Sequence, residues 1–441
     1  MISVTFVLLA LASVGATLAG ASQPRSISQV DTLFIPSRLS EAGVYQDIVR
    51  KKLAVGVLPF SVNTPLWSDG SIKQRYLILP KDSQLVYQDR AAYGYPKGAV
   101  FVKNFLIDTI AGDSTSRIYL ETRLLIKNPN VSDEIPEWVG FTYKWDIDQA
   151  DAVLVPVEGL TITVPIHKPL GAIYQKIWRF PGRQECFRCH IPRARQVLGF
   201  FTAQLNQPKN PDTSTNQLRL FFQAGLFGKK SDSIPDFSKS PAWASLRDTT
   251  RTLEHRARSY FASNCSGCHS PEAYVQTPIS PAKHDFNYFS LNVPSNYIDI
   301  PTKVKISNQD FMLIASGNPQ KSFILLRMSV RDPFLQMPPL ATTEVDTLAV
   351  RVVTEWIRSL PTLEDAHTPP IVKRNPRPSL NGEVISVPPE WVAMGVQLIG
   401  LNGHHIPLMA IGAGRFRITE QPSRGILILK FSNQSYRLMA Q

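Results

Sequence analysis

The sequence predicts a multidomain α+β chain: a β-rich N-terminal domain, a mostly α-helical domain after it and a small C-terminal β-sandwich. Three observations carry that reading. Short apolar runs broken by Gly, Asp, Asn and Pro fill the first third of the chain with almost no helical periodicity. Two later stretches, Leu253 to Asn264 and Val345 to Leu360, repeat their apolar residues at helical spacing. Beyond a Pro-rich and polar stretch from Pro361 to Pro378, residues Gly382 to Gln441 return to strand patterns. With 441 residues and 43% hydrophobic content the chain is long enough to bury several cores.

In order, the expected segments are a signal peptide at 1–21, a β-rich domain at 22–176, a connecting segment at 177–240, the helical domain at 241–362, a linker at 363–381 and the β-module at 382–441. Val4 to Leu18 is an uncharged apolar run followed by Ala19-Gly20-Ala21, the pattern of a secretory leader with a small-x-small cleavage site. No other stretch is apolar enough to cross a bilayer, so the mature chain is expected to have no transmembrane segment. Strands are expected in the run Leu58 to Pro80 and at Ala99 to Asp108, Arg117 to Lys127, Val139 to Asp146 and Ala152 to Leu154. Trp67, Trp138, Tyr143 and Trp145 are expected in the core. Asp69, Lys73 and Arg75 crowd one turn and are read as a hydrogen-bonded turn or a salt-bridged surface, with no chemistry assigned.

The chemistry lies in the cysteines. Cys265-Ser266-Gly267-Cys268-His269 ends the first helical stretch, and Cys186-Phe187-Arg188-Cys189-His190 repeats the pattern with the only other cysteines in the chain. Two thiols on one helical turn can add across the two vinyl groups of a porphyrin, and the next residue, His190 or His269, then faces the iron. A redox dithiol or a four-thiolate zinc centre could use Cys-x-x-Cys pairs too, but neither requires the histidine that follows each pair. Two covalently attached c-type haems are therefore the expected cofactors, with Cys186, Cys189, Cys265 and Cys268 as anchors and His190 and His269 as iron ligands. Attachment of c-type haem takes place outside the cytoplasm, in agreement with the leader.

Met337, in Gln336-Met337-Pro338-Pro339, is the candidate sixth ligand of the second haem; Met312 and Met328 sit in apolar runs that suit core packing and are the fallback ligands. No Met lies between Met1 and Met312, so the first haem has no local Met ligand, and His167 and His255 read as ordinary histidines. Trp178 and Phe180 are expected to wall the first porphyrin, and Ala194 to Gln207 to be helical. His404 and His405 are read as exposed turn residues. Lysine and arginine exceed aspartate and glutamate by 47 to 35, a net +12, which suits an acidic redox partner; no nucleic-acid motif accompanies the charge.

Thr64-Pro65-Leu66-Trp67-Ser68-Asp69-Gly70 with Lys73 and Arg75, then Pro181 to His190, Gln204-Leu205-Asn206, Arg256 to Tyr260, Asn264 to His269 and Met337-Pro338-Pro339, resemble in order the motifs of a family of exported bacterial dihaem c-type cytochromes. The second half of that order is similar to class I cytochromes c, so the resemblance implies a class I-like cytochrome c domain. It also implies electron transfer between redox proteins in the periplasm, at the outer-membrane surface or outside the cell. Val396 to Gly403 with Gly425 to Phe431 resembles the C-terminal sorting domain of type IX secretion substrates, which implies delivery to the outer surface. Two rival functions follow from the same residues: a peroxidase-like or dehydrogenase-linked haem oxidoreductase with an open first haem, and a surface-binding protein whose haems are accessory. An electron carrier is preferred to an enzyme.

Overall fold

Valine, isoleucine, phenylalanine and tyrosine at alternating positions build the largest feature of the chain, an antiparallel sheet of six strands. The computed structural model describes residues 35–441 except 131–136, 192–193, 195, 209–214, 229–233, 270–285, 287–296, 303–304, 307–308, 363–378, 382–383, 388–395, 401–403, 413–414, 421–424, 432–433 and 441. The expected signal peptide, most of the expected linker and the Asn402-Gly403 turn lie outside these residues. The chain divides into two compact units, Met1–Leu360 and Pro361–Gln441.

In the first unit a short pair, β1 (Tyr45–Asp47) and β2 (Lys52–Leu53), precedes the sheet. The sheet runs in chain order through β3 (Leu58–Phe60), β4 (Ile72–Ile78), β5 (Val100–Asp108), β6 (Arg117–Lys127), β7 (Trp138–Trp145) and β8 (Ala152–Leu154). Strand alternation divides its side chains between two faces. Tyr76, Val102, Leu124, Phe141 and Tyr143 point to one face and are closed over by Leu39, Val44, Tyr45 and Val57. Leu77, Phe101 and Leu125 point to the other, under Val197, Phe200, Leu205, Leu218 and Phe221. A hairpin of β9 (Leu160–His167) and β10 (Ile173–Phe180) lays Trp178 and Phe180 on the end of this second face, against Phe105 and Leu120. Each large side chain so buried contributes about 1.5–3 kcal/mol.

Six helices occur among the described residues: α1 (Arg183–Cys186), α2 (Thr202–Leu205), α3 (Gln217–Gln223), α4 (Leu253–Asn264), α5 (Phe323–Ser329) and α6 (Thr347–Ser359). The expectation of a mostly α-helical class I-like cytochrome c domain is corrected here. Among the described residues of 241–362 the α-helices with full bounds are α4, α5 and α6, at 12, 7 and 13 residues, joined by a 3-10 turn at Pro319–Lys321 and by turns and isolated bridges. These helices belong to the same compact unit as the sheet. The physical cause is that the apolar periodicity covers only α4 and α6. Between them the sequence is rich in Pro, Ser and Asn, which favour turns over helix. The expected helix over Ala194 to Gln207 is likewise reduced to the four residues of α2. Where the periodicity exists it acts as written: Phe261 of α4 and Trp356 of α6 meet edge to face at 5.9 Å in a cluster with Ala257, Leu325, Met328 and Val353.

The second unit holds two four-stranded antiparallel sheets. One contains β11 (Ser379–Asn381), β12 (Val384–Ser386), β15 (Leu408–Gly412) and β16 (Arg415–Ile418); the other contains β13 (Gln397–Gly400), β14 (His405–Ile406), β17 (Gly425–Phe431) and β18 (Gln434–Ala440). Ile385 and Ile418 from the first and Leu398, Leu427 and Leu429 from the second share one apolar cluster. No helix among the described residues is long and apolar enough to cross a membrane.

Candidate cofactor site

The first Cys-x-x-Cys-His segment closes as a helical turn continuing α1. Cys189 N donates to Cys186 O at 3.3 Å and His190 N to the same oxygen at 3.0 Å, which brings both thiols and the imidazole to one turn. Glu185 sets the start of that turn by accepting from Gly182 N at 2.7 Å and from Arg179 at 2.8 Å. The turn rests on β7 at Gly140, where an added Cβ would lie 2.9 Å from both Cβ and Sγ of Cys186. Glycine at 140 is therefore what admits the first cysteine to the sheet.

His190 is oriented like a metal-binding imidazole. Its Nδ1 lies 2.8 Å from the Gln196 carbonyl, which accepts the Nδ1 proton, and Gln196 Nε2 donates back to His190 O at 2.7 Å. That arrangement fixes the tautomer with Nε2 unprotonated and available. Burial first, then the nearby positive charge of Lys103 and Arg123, lower the His190 pKa to about 4, so the ring is neutral at pH 7.

Beside His190 a cleft open to solvent is lined by Phe60, Phe101, Leu125, Val197 and Leu198 together with Lys103 and Arg123. The cations come from the sheet. Register places Arg75 opposite Lys103 and Lys103 opposite Arg123, so one row across β4, β5 and β6 carries three positive charges on the face that otherwise buries Leu77, Phe101 and Leu125. Glu121, fully buried, is ion-paired with Arg123 and accepts from Trp178 Nε1 at 2.9 Å. Lys103 is pushed down to about 7 by burial and by Arg75 and Arg123.

The second motif forms the same turn at the end of α4, with Cys268 N and His269 N both donating to Cys265 O, at 3.0 and 2.8 Å. Thr252 caps the start of this helix by accepting from His255 N at 3.1 Å. His269 meets the edge of Phe286 at 5.9 Å between ring centres. The two motifs are neighbours: a Cβ added at Gly267 would be 3.7 Å from Ala194 Cβ and 4.0 Å from Leu198 Cδ2, and the Cys189 sulfur contributes to the upward shift of Cys268. Burial pushes all four thiols above their ordinary range, Cys265 to about 12. A neutral thioether escapes the cost that burial imposes there on a thiolate.

The turn at Trp67–Gly70 ties these parts together. The Asp69 carboxylate is buried and accepts from Thr343 N, Thr343 Oγ1 and Glu344 N, each at 2.9 Å. Lys176 of β10 donates to Asp69 O at 2.7 Å and to Glu344 Oε1 at 2.5 Å. Trp67 N donates to Asn264 Oδ1 at the end of α4, and Trp67 Nε1 to Glu344 O. Thr64 exchanges hydrogen bonds with the buried Gln204 amide of α2, whose Nε2 donates at 2.7 Å. One loop of the sheet thus anchors the segment after the first motif, the helix before the second and the far end of the Met337 loop. The near end of that loop is held by Met337 N donating to Arg327 O at 2.9 Å and by the Asp332 carboxylate, which caps Phe334 and Leu335.

Met337 is partly buried in this doubly anchored loop; Met328 is buried between α4 and α6, as a core methionine is. His167 is exposed on β9, and a His255 ring nitrogen is engaged by the Ala242 carbonyl at 3.0 Å. Trp138, Tyr143 and Trp145 are core residues, Trp67, expected with them, is only half-buried, and His404 and His405 are exposed. Trp178 and Phe180 do not wall the cleft, because β10 turns them into the cluster with Phe105. Sequence reasoning missed Gly140, Gln196, Lys103, Arg123 and Glu121. A signal existed for the cations: Lys103 and Arg123 each interrupt an apolar strand at a position where alternation calls for an apolar residue.

Among the described residues no three His, Cys, Asp or Glu side chains are grouped to hold a metal ion. The residues fit a haem: paired thiols on a turn, an imidazole whose Nδ1 is already engaged, an apolar wall, and two basic side chains lining the cleft. No family model, no curated protein and no solved structure matches the chain.

Proposed function

We propose that this chain is an exported dihaem c-type cytochrome that carries electrons between redox proteins in the periplasm or at the cell surface. The observation that carries the reading is the pair of adjacent Cys-x-x-Cys-His turns, one with its histidine Nδ1–H donating to the Gln196 carbonyl. Cys186 and Cys189 would hold the first haem and Cys265 and Cys268 the second, with His190, His269 and Met337 as the residues that would bind iron. The bound iron supplies a one-electron ferric/ferrous couple. The chain's own residues fix the two attachment turns side by side and give them different surroundings, a cationic sheet for the first and an apolar helix cluster for the second. The surplus of positive charge suits acidic partners, and the C-terminal unit would direct delivery to the outer surface.

The open cleft beside His190 favours a second reading, an oxidoreductase that uses a vacant coordination position at the first haem. Met337→Ala tests the assignment at the second haem. The variant is expected to keep two haems while the midpoint potential of the second falls and its weak ferric sulfur-to-iron absorption disappears, because a thioether opposite imidazole favours the ferrous state. Unchanged spectra and potential would remove Met337 as a ligand.

A further inference from the structure

Three cations share one row of the sheet below the first motif, and one carboxylate answers them. Glu121 is committed to Arg123 and to Trp178. Arg75 is only 9% exposed, and among the described residues neither its guanidinium nor the Lys103 ammonium is hydrogen-bonded or ion-paired. Arg123 spreads over the Phe105 ring at 4.4 Å, on a low-dielectric face where like charges repel. The nitrogens of Arg75 and Lys103 that lack a protein partner are not sealed from solvent, so an anion can reach the row from outside and pair with it. Lys103 and Arg123 both line the cleft that contains His190, and Arg75 is next in the row. The anion therefore belongs to whatever occupies that cleft.

We propose that Arg75, Lys103 and Arg123 hold the propionate carboxylates of the first haem against the sheet, setting the ring's orientation and raising its reduction potential. This rests on the haem reading above and extends it to the carboxylate end of the cofactor. A guanidinium suits the role because it binds a carboxylate through two parallel hydrogen bonds, and the strand register fixes the row before any haem arrives. Positive charge that pairs with the propionates would offset their negative charge and so favour the ferrous state, and the first haem should therefore sit at a higher potential than its exposure alone would give.

The test is a redox titration of the full-length haem-loaded chain and of Arg75→Gln, Arg75→Lys and Lys103→Met, each preceded by a haem count. Arg75→Gln and Lys103→Met are expected to keep two haems and to lower the potential of the first haem alone, with Arg75→Lys restoring most of the Arg75 shift. Two haems and an unmoved first potential in both charge-removing variants would overturn the proposal and leave the dihaem reading intact. If the first potential of the unaltered protein shifts saturably with added inorganic phosphate and Arg75→Gln abolishes that response, the row takes an oxyanion from solution and the propionate assignment is wrong. A chain that carries no haem at Cys186 and Cys189 overturns both.

Discussion

Glu121→Gln is expected to destabilise the first unit by about 3–5 kcal/mol, the range for stripping one partner from a buried ion pair. Glu121 is 0% exposed and is the carboxylate that faces Arg123 across two guanidinium contacts, one from Nε and one from Nη2 at 3.1 Å. Glutamine keeps the volume and can still accept from Trp178 Nε1, so the loss isolates the charge. What remains is Arg75, Lys103 and Arg123 on one apolar face with no carboxylate among them. The measurement is the denaturant midpoint at constant slope, and a loss below about 1 kcal/mol would show that the row does not depend on Glu121. If the propionates of a bound haem share the row, the same substitution should cost less in the haem-loaded chain than in the apoprotein.

Asp69→Ala is expected to cost about 3 kcal/mol and to loosen a loop far away in sequence. Its carboxylate satisfies two backbone N–H groups and one hydroxyl at Thr343 and Glu344, and alanine would leave those donors buried without an acceptor. The backbone adds a smaller term. Asp69 has φ of +49°, a left-handed conformation that Asp and Asn tolerate better than Ala. Asp69→Asn should therefore lose less than half as much. Amide exchange at Thr343 and Glu344 reads the local part: faster exchange at both is expected in Asp69→Ala, and unchanged protection would mean the loop is held by Lys176, Arg331 and Trp67 without the carboxylate.

The contrast between these two residues shows what the sequence could convey. Asp69 was legible as a turn residue, since Asp-Gly after Trp-Ser marks a tight turn, but its partners sit on the far side of the second motif and no local pattern points to them. Strands β4 to β7 were readable because largely apolar runs of 7 to 11 residues are bounded by Gly, Asp, Asn and Pro. The row Arg75, Lys103 and Arg123 was not, because it exists only once register is fixed, and register depends on turns and on the bulge between Phe105 and Leu106. Helices α4 and α6 were visible in their apolar periodicity, but their domain was not: a helical pattern says which face is apolar and is silent on what covers it. Here a sheet loop supplies part of the cover, so the helices form one unit with the strands. The two Cys-x-x-Cys-His segments were legible as turns, because their spacing is local, and both turns close.

The most direct measurement is the number of haems per chain in protein matured in an exporting host, with ferric and ferrous spectra recorded with and without carbon monoxide. Two covalent haems that remain low-spin and ignore carbon monoxide are the result expected of an electron carrier. Two haems of which one binds carbon monoxide would move the first site to the oxidoreductase reading, and a chain without covalent haem would contradict the account at its centre.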